Sequence, residues 1–348
     1  MLKLFTDIDL LTEENRGLVF PLLFDLHYGY NEYLRDYYTI VKDINDSDVA
    51  IFPLEYSYGL KHHKSLVNDF LTKAKTLNKT IWVYSGGDFG FTINDESIFT
   101  FRLSGFKSKL NSQTVIMPSF INDPYDAYLK QKFATINKEK LPRLGFVGHA
   151  KGGLKKYVKE LLSFLKVNIK RILLSENKDY QSFYPSSIKR AKYLKKLFES
   201  DYIITNFILR SDYRAGFKNK EQKENTTAEF YQNIYNNPYT FCLRGAGNFS
   251  VRFYETLAVG RIPVLIDTDC ELPLSHKIKW SKHCVIIKEE NDKSMVEKIQ
   301  DFHSRFSEES FIEFQNSNRF LWKNLLRREH FFKEVHDDFL LKNTNNSL

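Results

Sequence analysis

The sequence predicts an α/β protein of two Rossmann-like domains facing each other across a cleft, followed by C-terminal helices. Short apolar runs alternate with longer amphipathic ones through most of the chain, the pattern of strands covered by helices. The 348 residues are too many for one small core and suit two domains of roughly 150 residues each. After a polar, proline-ended stretch at 137–142, a strand, a glycine turn and a helix restart the pattern. The domains are therefore expected at 1–140 and 141–348, with the last helix free to pack back on the first.

In the first domain, residues 3–5, 49–53, 80–84 and 114–117 read as strands, each short, rich in branched or aromatic residues and closed by a turn. Residues 62–77 read as a helix, with Leu66, Val67, Phe70, Leu71 and Ala74 near helical spacing. In the second, strand 144–147 runs into Gly148, Gly152 and Gly153 and a lysine-rich helix. Strand 171–174, helix 187–197, strand 202–209, helix 227–235 and strand 239–243 follow. Helix 251–259 and strands 262–266 and 284–287 come next, and the remaining stretch reads as helical with Phe, Leu and Trp322 inward.

The net charge of +8 favours an anionic partner: nucleic acid, an acidic membrane surface or a phosphorylated small molecule. No long block of like charges and no arginine-rich arm supports nucleic acid. Cys242, Cys270 and Cys284 lack C-x-x-C spacing, which argues against a disulfide framework or zinc site and fits a reducing compartment. The N-terminus is too polar for a signal peptide, and no apolar stretch approaches the ~20 residues of a membrane span. The expectation is a cytoplasmic protein whose basic surface makes peripheral contact with the inner face of an anionic membrane.

The chemistry concentrates between Tyr239 and Asp267. Gly245, Gly247 and Asn248 form a tight turn after a strand, Ser250 stands where an N-cap belongs, and Gly260 where a C-terminal cap belongs. Such a turn brings backbone N–H groups and a helix dipole to one point, which suits a phosphate. The glycines alone fall short of the dinucleotide fingerprint, because Ser250 holds the place of its third glycine. Arg252 and Glu255 share one helix face. An arginine fork there suits a diphosphate, and a carboxylate about 5 Å further along suits ribose hydroxyls. An intrahelical ion pair is the plainer reading of the same spacing. Arg244 leads into the turn, and Arg210 and Arg214 follow strand 202–209 at the end where open sheets hold ligands. A departing diphosphate needs a divalent metal or fixed cations and helix N–H groups. No D-x-D triplet is read as holding a catalytic metal, so the fixed-cation solution is favoured and no metal or other cofactor is expected.

The run from Tyr239 to Pro273 resembles the signature of exostosin-type glycosyltransferases, through Phe241-Cys-Leu, Gly247, Ser250-Val-Arg252-Phe-Tyr-Glu255, Gly260-Arg-Ile-Pro-Val264 and Asp267. The stretch 244–250 is similar to bacterial members, and 48–53, 114–118 and 143–148 carry weaker likenesses. The resemblance implies a GT-B fold and an inverting, metal-independent transfer from a nucleotide sugar, uridine-linked by preference, to a hydroxyl of a glycan or lipid-linked glycan. The second catalytic domain and membrane anchor of animal and plant relatives are not expected here, which points to surface polysaccharide synthesis from the cytoplasmic side.

An inverting transfer needs a base on the acceptor side. Asp88, within Gly86-Gly-Asp-Phe-Gly90, and Glu55, just past strand 49–53, are the candidates. A turn-forming Asp and a surface loop charge are their plainer readings. His62 and His63 read as the start of a helix, and His149 as a loop residue that can face the cleft. Asp267, Asp269 and Pro273 belong to a loop beside the donor or to a simple turn, and Cys242 to packing. Rival functions are a nucleotide-sugar epimerase or hydrolase on the same fold, and a non-catalytic glycan-binding protein.

Overall fold

The computed structural model describes residues 1–173, 178–210, 216, 219–289 and 294–345. Strands β1 (Leu2–Phe5), β2 (Tyr38–Val41), β3 (Val49–Glu55), β4 (Thr80–Ser85), β5 (Ile98–Arg102) and β6 (Thr114–Ile116) form a parallel sheet in the order β2-β1-β3-β4-β5-β6. Strands β7 (Arg143–His149), β8 (Ile204–Arg210), β9 (Tyr239–Cys242), β10 (Ile262–Asp267) and β11 (Val285–Lys288) form a second parallel sheet, ordered β11-β10-β9-β7-β8. The central strands β3, β9 and β10 are almost wholly buried, which is why they read as unbroken apolar runs. Each sheet is doubly wound, and its strand order reverses between β1 and β3 and between β7 and β9.

Helices α1 (Pro21–His27), α2 (Glu32–Arg35), α3 (Tyr56–His62), α4 (Lys64–Thr76) and α5 (Pro124–Ala127) accompany the first sheet. The second brings α6 (Leu154–Leu173), α7 (Ser186–Phe198), α8 (Lys220–Asn236), α9 (Val251–Ala258), α10 (Met295–Ser304) and α11 (Glu308–Leu321), and α12 (Arg328–Asn345) closes the described chain. A π-helical turn at Trp322–Leu326 joins α11 to α12. Helix α12 returns to the first sheet. There Tyr38 donates its hydroxyl hydrogen bond to Phe332 O at 2.6 Å, and Arg328 grips both carboxylate oxygens of buried Asp25. Burial raises the Asp25 pKa, and the Arg328 contact opposes that rise.

One apolar cluster runs from β1, β3 and β4 through Phe331 and Phe332 to Phe253, Leu257 and Trp280 on the other side of the cleft. The two sheets thus share a core. A second cluster fills the far face of the second sheet, where Met295, Ile299 and Phe311 meet Phe241, Ile262 and Val264. Among the described residues no helix is long and apolar enough to cross a membrane.

Three expectations require correction. Residues 171–173 are the last turn of α6, not a strand, and Leu174 lies outside the described residues. His62 closes α3 and His63 separates it from α4, so the pair ends one helix rather than starting the next. Strands β2 and β5 had no counterpart in the sequence reading.

Candidate active site

The strand order of the second sheet reverses between β7 and β9, so the crevice beyond their carboxyl ends is where an open α/β sheet holds a ligand. Helix α9 starts there. Ser250 occupies its N-cap position, but the hydroxyl makes no capping bond, so among the described residues no side chain caps the first N–H groups of the helix. Gly260 follows the C-cap at φ 75°, the left-handed conformation that ends the helix and releases the chain into β10.

Arg252 and Glu255 are half-buried on this helix, and no ion pair joins them. Each turns to other partners. The Arg252 guanidinium lies 4.3 Å from the Phe146 ring centroid, and Nη2 donates to Val147 O at 2.6 Å, while Nε is buried with no hydrogen-bond partner. Glu255 accepts a 3.3 Å hydrogen bond from the Tyr231 hydroxyl. Burial pushes its carboxyl up to about 7, against the opposing pull of Arg252 and Tyr231. Tyr231, on α8, is stacked on Tyr128 with centroids 4.6 Å apart.

Arg244 is buried, its guanidinium held between the Tyr184 and Phe106 rings, with Nη2 donating to Ala246 O at 2.8 Å and to Gln181 at 3.4 Å. It therefore braces the glycine turn from beneath. Arg190, on α7, ties the strand ends together by donating to His149 O at 2.8 Å and Arg244 O at 3.3 Å. Arg210 reaches the end of β8 but is paired with Glu229 at 2.6 Å, and its carbonyl stands 3.2 Å from the His149 ring nitrogen. Arg214 lies outside the described residues.

Across the cleft, the loop after β4 meets the glycine turn directly. A methyl group on Gly247 would stand 2.2 Å from Asp88 O, so only glycine lets the two loops touch. Nothing lies within 4 Å of the same position on Gly245. Gly247→Ala should therefore lower stability by about 1–3 kcal/mol, whereas Gly245→Ala should stay within about 0.5 kcal/mol, as read by calorimetric melting. Equal melting of the two variants would contradict this contact.

The Asp88 side chain is exposed, yet desolvation by its surroundings raises the pKa of its carboxyl. Glu55 supports the same loop. Its Oε2 caps α3 by accepting from Tyr58 N at 2.7 Å, and Oε1 accepts from Gly86 N at 3.4 Å. Asn248 is buried and clasps the two domains, donating to Gly105 O at 3.0 Å and to Thr268 O and Asp269 O at 3.1 and 3.0 Å. A second clasp joins Arg102 to Asp179 at 2.7 Å, with Thr92 N also donating to Asp179 at 2.9 Å.

The chain contains aspartates one residue apart at Asp7 and Asp9, Asp46 and Asp48, and Asp267 and Asp269. Only the last pair is near the glycine turn. There Asp267 accepts from Cys270 N at 3.0 Å and Asp269 from the Ser108 hydroxyl at 2.5 Å, so both serve the loop that joins the domains. Among the described residues no group of three His, Cys, Asp or Glu side chains could hold a metal ion. Tyr231, Arg190, Gln181 and Asp179 were not singled out from sequence. Tyr231 sits in helical spacing that reads as plain core, and Arg190 in a lysine-rich helix that reads as solvated.

Residues 170–301 match the Exostosin GT47 domain. The chain is 27% identical over 169 residues to Exostosin-1 of Bos taurus and to that of Mus musculus, a match that covers 46% of this chain and 22% of each relative. It thus spans about a fifth of the length of those curated relatives. Solved structures with an overall likeness include an alpha1,3-fucosyltransferase (TM-score 0.37, 13% identity, 91% of this chain and 82% of that one). A glycosyltransferase from Rickettsia africae ESF-5 gives a TM-score of 0.41 at 11% identity, over 97% of this chain and 98% of that one. The stretch that resembles the Exostosin GT47 domain, residues 170–301, includes the glycine turn, Arg252 and Glu255.

Proposed function

We propose that the chain is an inverting glycosyltransferase that moves a sugar from a nucleoside diphosphate, uridine-linked by preference, to a hydroxyl of a glycan acceptor. The observation that carries this reading is the Arg252–Glu255 face of α9. Two half-buried, oppositely charged side chains lie at a strand switch point without pairing, and Arg252 Nε has no partner. A diphosphate over the uncapped start of α9 would meet Arg252 and the helix N–H groups, and ribose hydroxyls would donate to Glu255. Arg244 and Asn248 shape the turn through Gly245 and Gly247, and Arg210 stands at its side.

In the reaction, the acceptor oxygen bonds to the anomeric carbon as the bond from that carbon to the diphosphate oxygen breaks. The electron pair leaves with the diphosphate, where Arg252 and the helix dipole meet the new charge without a metal. The hydroxyl proton passes to the Asp88 carboxylate, whose loop rests on the donor turn at Gly247. A raised pKa suits a group that must take up a proton. Glu55, bound to two backbone N–H groups, holds that loop in place. The acceptor is a glycan or lipid-linked glycan in surface polysaccharide synthesis, and the protein works at the inner face of an anionic membrane.

Calorimetric titration with UDP, GDP, CMP and dTDP in the presence of EDTA tests this reading. One nucleoside diphosphate, with UDP first in order, should bind without metal. If none binds, or binding requires a divalent ion, the donor site as described is wrong.

A further inference from the structure

We propose that α6 is a membrane-docking element whose leucine face lies in the headgroup region of an anionic bilayer. The helix is inside-out for one that accompanies a sheet. Leu154, Val158, Leu162, Leu165, Ile169 and Ile172 fall on one stripe about 100° wide at helical spacing. A stripe of that kind normally faces the core. Here no residue of α6 is buried, and Leu154, Leu162 and Ile172 are 79%, 60% and 68% exposed. The opposite side faces the protein: Phe164 packs on Phe183 and Tyr180, Tyr157 meets Phe183 edge-on, and Arg171 lies over Tyr180.

Charge selects the occupant. Lys155, Lys159, Lys166 and Lys170 are exposed and line one margin of the apolar stripe. A leucine face edged by lysines is the pattern of a helix lying in the plane of a bilayer, with ammonium groups at the level of anionic headgroups. A second copy of the chain would set one lysine row against another in a protein whose net charge is already +8. Helix α6 leaves the carboxyl end of β7 within five residues, so docking it would bring the mouth of the cleft to the lipid surface. The inference rests on the membrane contact in the proposed function and names the surface that makes it, but it does not depend on the donor site.

The test is flotation of the full chain with vesicles of phosphatidylcholine alone, and with about one third phosphatidylglycerol added. The chain should float with the anionic vesicles, remain free of the neutral ones, and be released by high salt. Leu165→Glu with Ile169→Glu should weaken binding by at least about tenfold. Both side chains are exposed (43% and 53%), so melting temperature and nucleotide affinity should stay unchanged. Lys159→Gln and Lys166→Gln should each weaken binding roughly fivefold. The inference falls if the parent ignores anionic vesicles, if the double glutamate variant binds as well as the parent, or if the parent is a dimer that this variant dissolves. Flotation without nucleotide binding would overturn the donor-site reading and leave this one standing.

Discussion

Arg252→Ala should lower kcat/KM for sugar transfer by about 10²–10³-fold, the usual cost of removing one fixed charge from a developing anion. The residue is held before any ligand arrives, by its hydrogen bond to Val147 O and by the Phe146 ring beneath it. That preorganisation is why the loss should fall mainly on kcat. Arg252→Lys should not restore the rate. An ammonium lacks the planar fork that can serve Val147 O and a diphosphate together, and it stacks poorly on Phe146. The check is steady-state transfer with whichever donor the calorimetry selects, alongside melting curves to separate misfolding from lost chemistry. A lysine variant with parental kcat would reduce Arg252 to a packing residue.

Glu255→Gln should weaken nucleotide binding by about 100-fold while making the protein more stable above neutrality. A carboxylate accepting two ribose hydroxyls makes charge-assisted bonds worth about 1.5–3 kcal/mol each, and an amide cannot match them. The stability effect follows from the raised pKa. The unfolded carboxyl titrates near 4.5 and the folded one at about 7. The fold therefore favours the protonated form, and its contribution is fully present below about 4.5. It is lost as pH rises from there to about 7, leaving a penalty on the order of 3 kcal/mol at higher pH. Removing the charge should raise the melting temperature at about pH 8 and do little at about pH 4. Nucleotide affinity of the parent should climb as pH rises through about 7, and the glutamine variant should lose that slope. A variant that binds nucleotide like the parent, or melts lower at high pH, would show that Glu255 is a structural acid.

The strand, glycine turn and helix at 239–260 were legible because their signals are local. Gly245 and Gly247, the Ser250 position, the Arg252–Glu255 spacing and Gly260 lie within sixteen consecutive residues, so strand, turn and helix can be read in one window. What the turn touches was not legible. Nothing near Gly247 in sequence says that its missing side chain makes room for Asp88, and Asn248 reads as a turn residue until Gly105 is seen beside it. Glu55 was one of two candidate bases from its place just past strand 49–53, and its oxygens accept from Tyr58 and Gly86, a contact 31 residues away in the second case. The false strand at 171–174 has a single cause. The apolar residues after Arg171 read as a strand, but Ile172 and Leu173 are 68% and 75% exposed at the end of α6, so apolar did not mean interior there.

Helix α12 has a consequence for how the chain comes together during synthesis. Phe332 and Phe339 roof the first sheet, packing near Phe20, Phe101 and Trp82, so that sheet lacks one covering layer until residues 328–345 have left the ribosome. The second sheet emerges in the meantime, and its α9 and Trp280 join the same apolar cluster. The earliest strands to be made are thus among the last to be sealed. Nascent chains arrested before α12 should expose that aromatic surface and depend on chaperones, even though every strand of both sheets is already present.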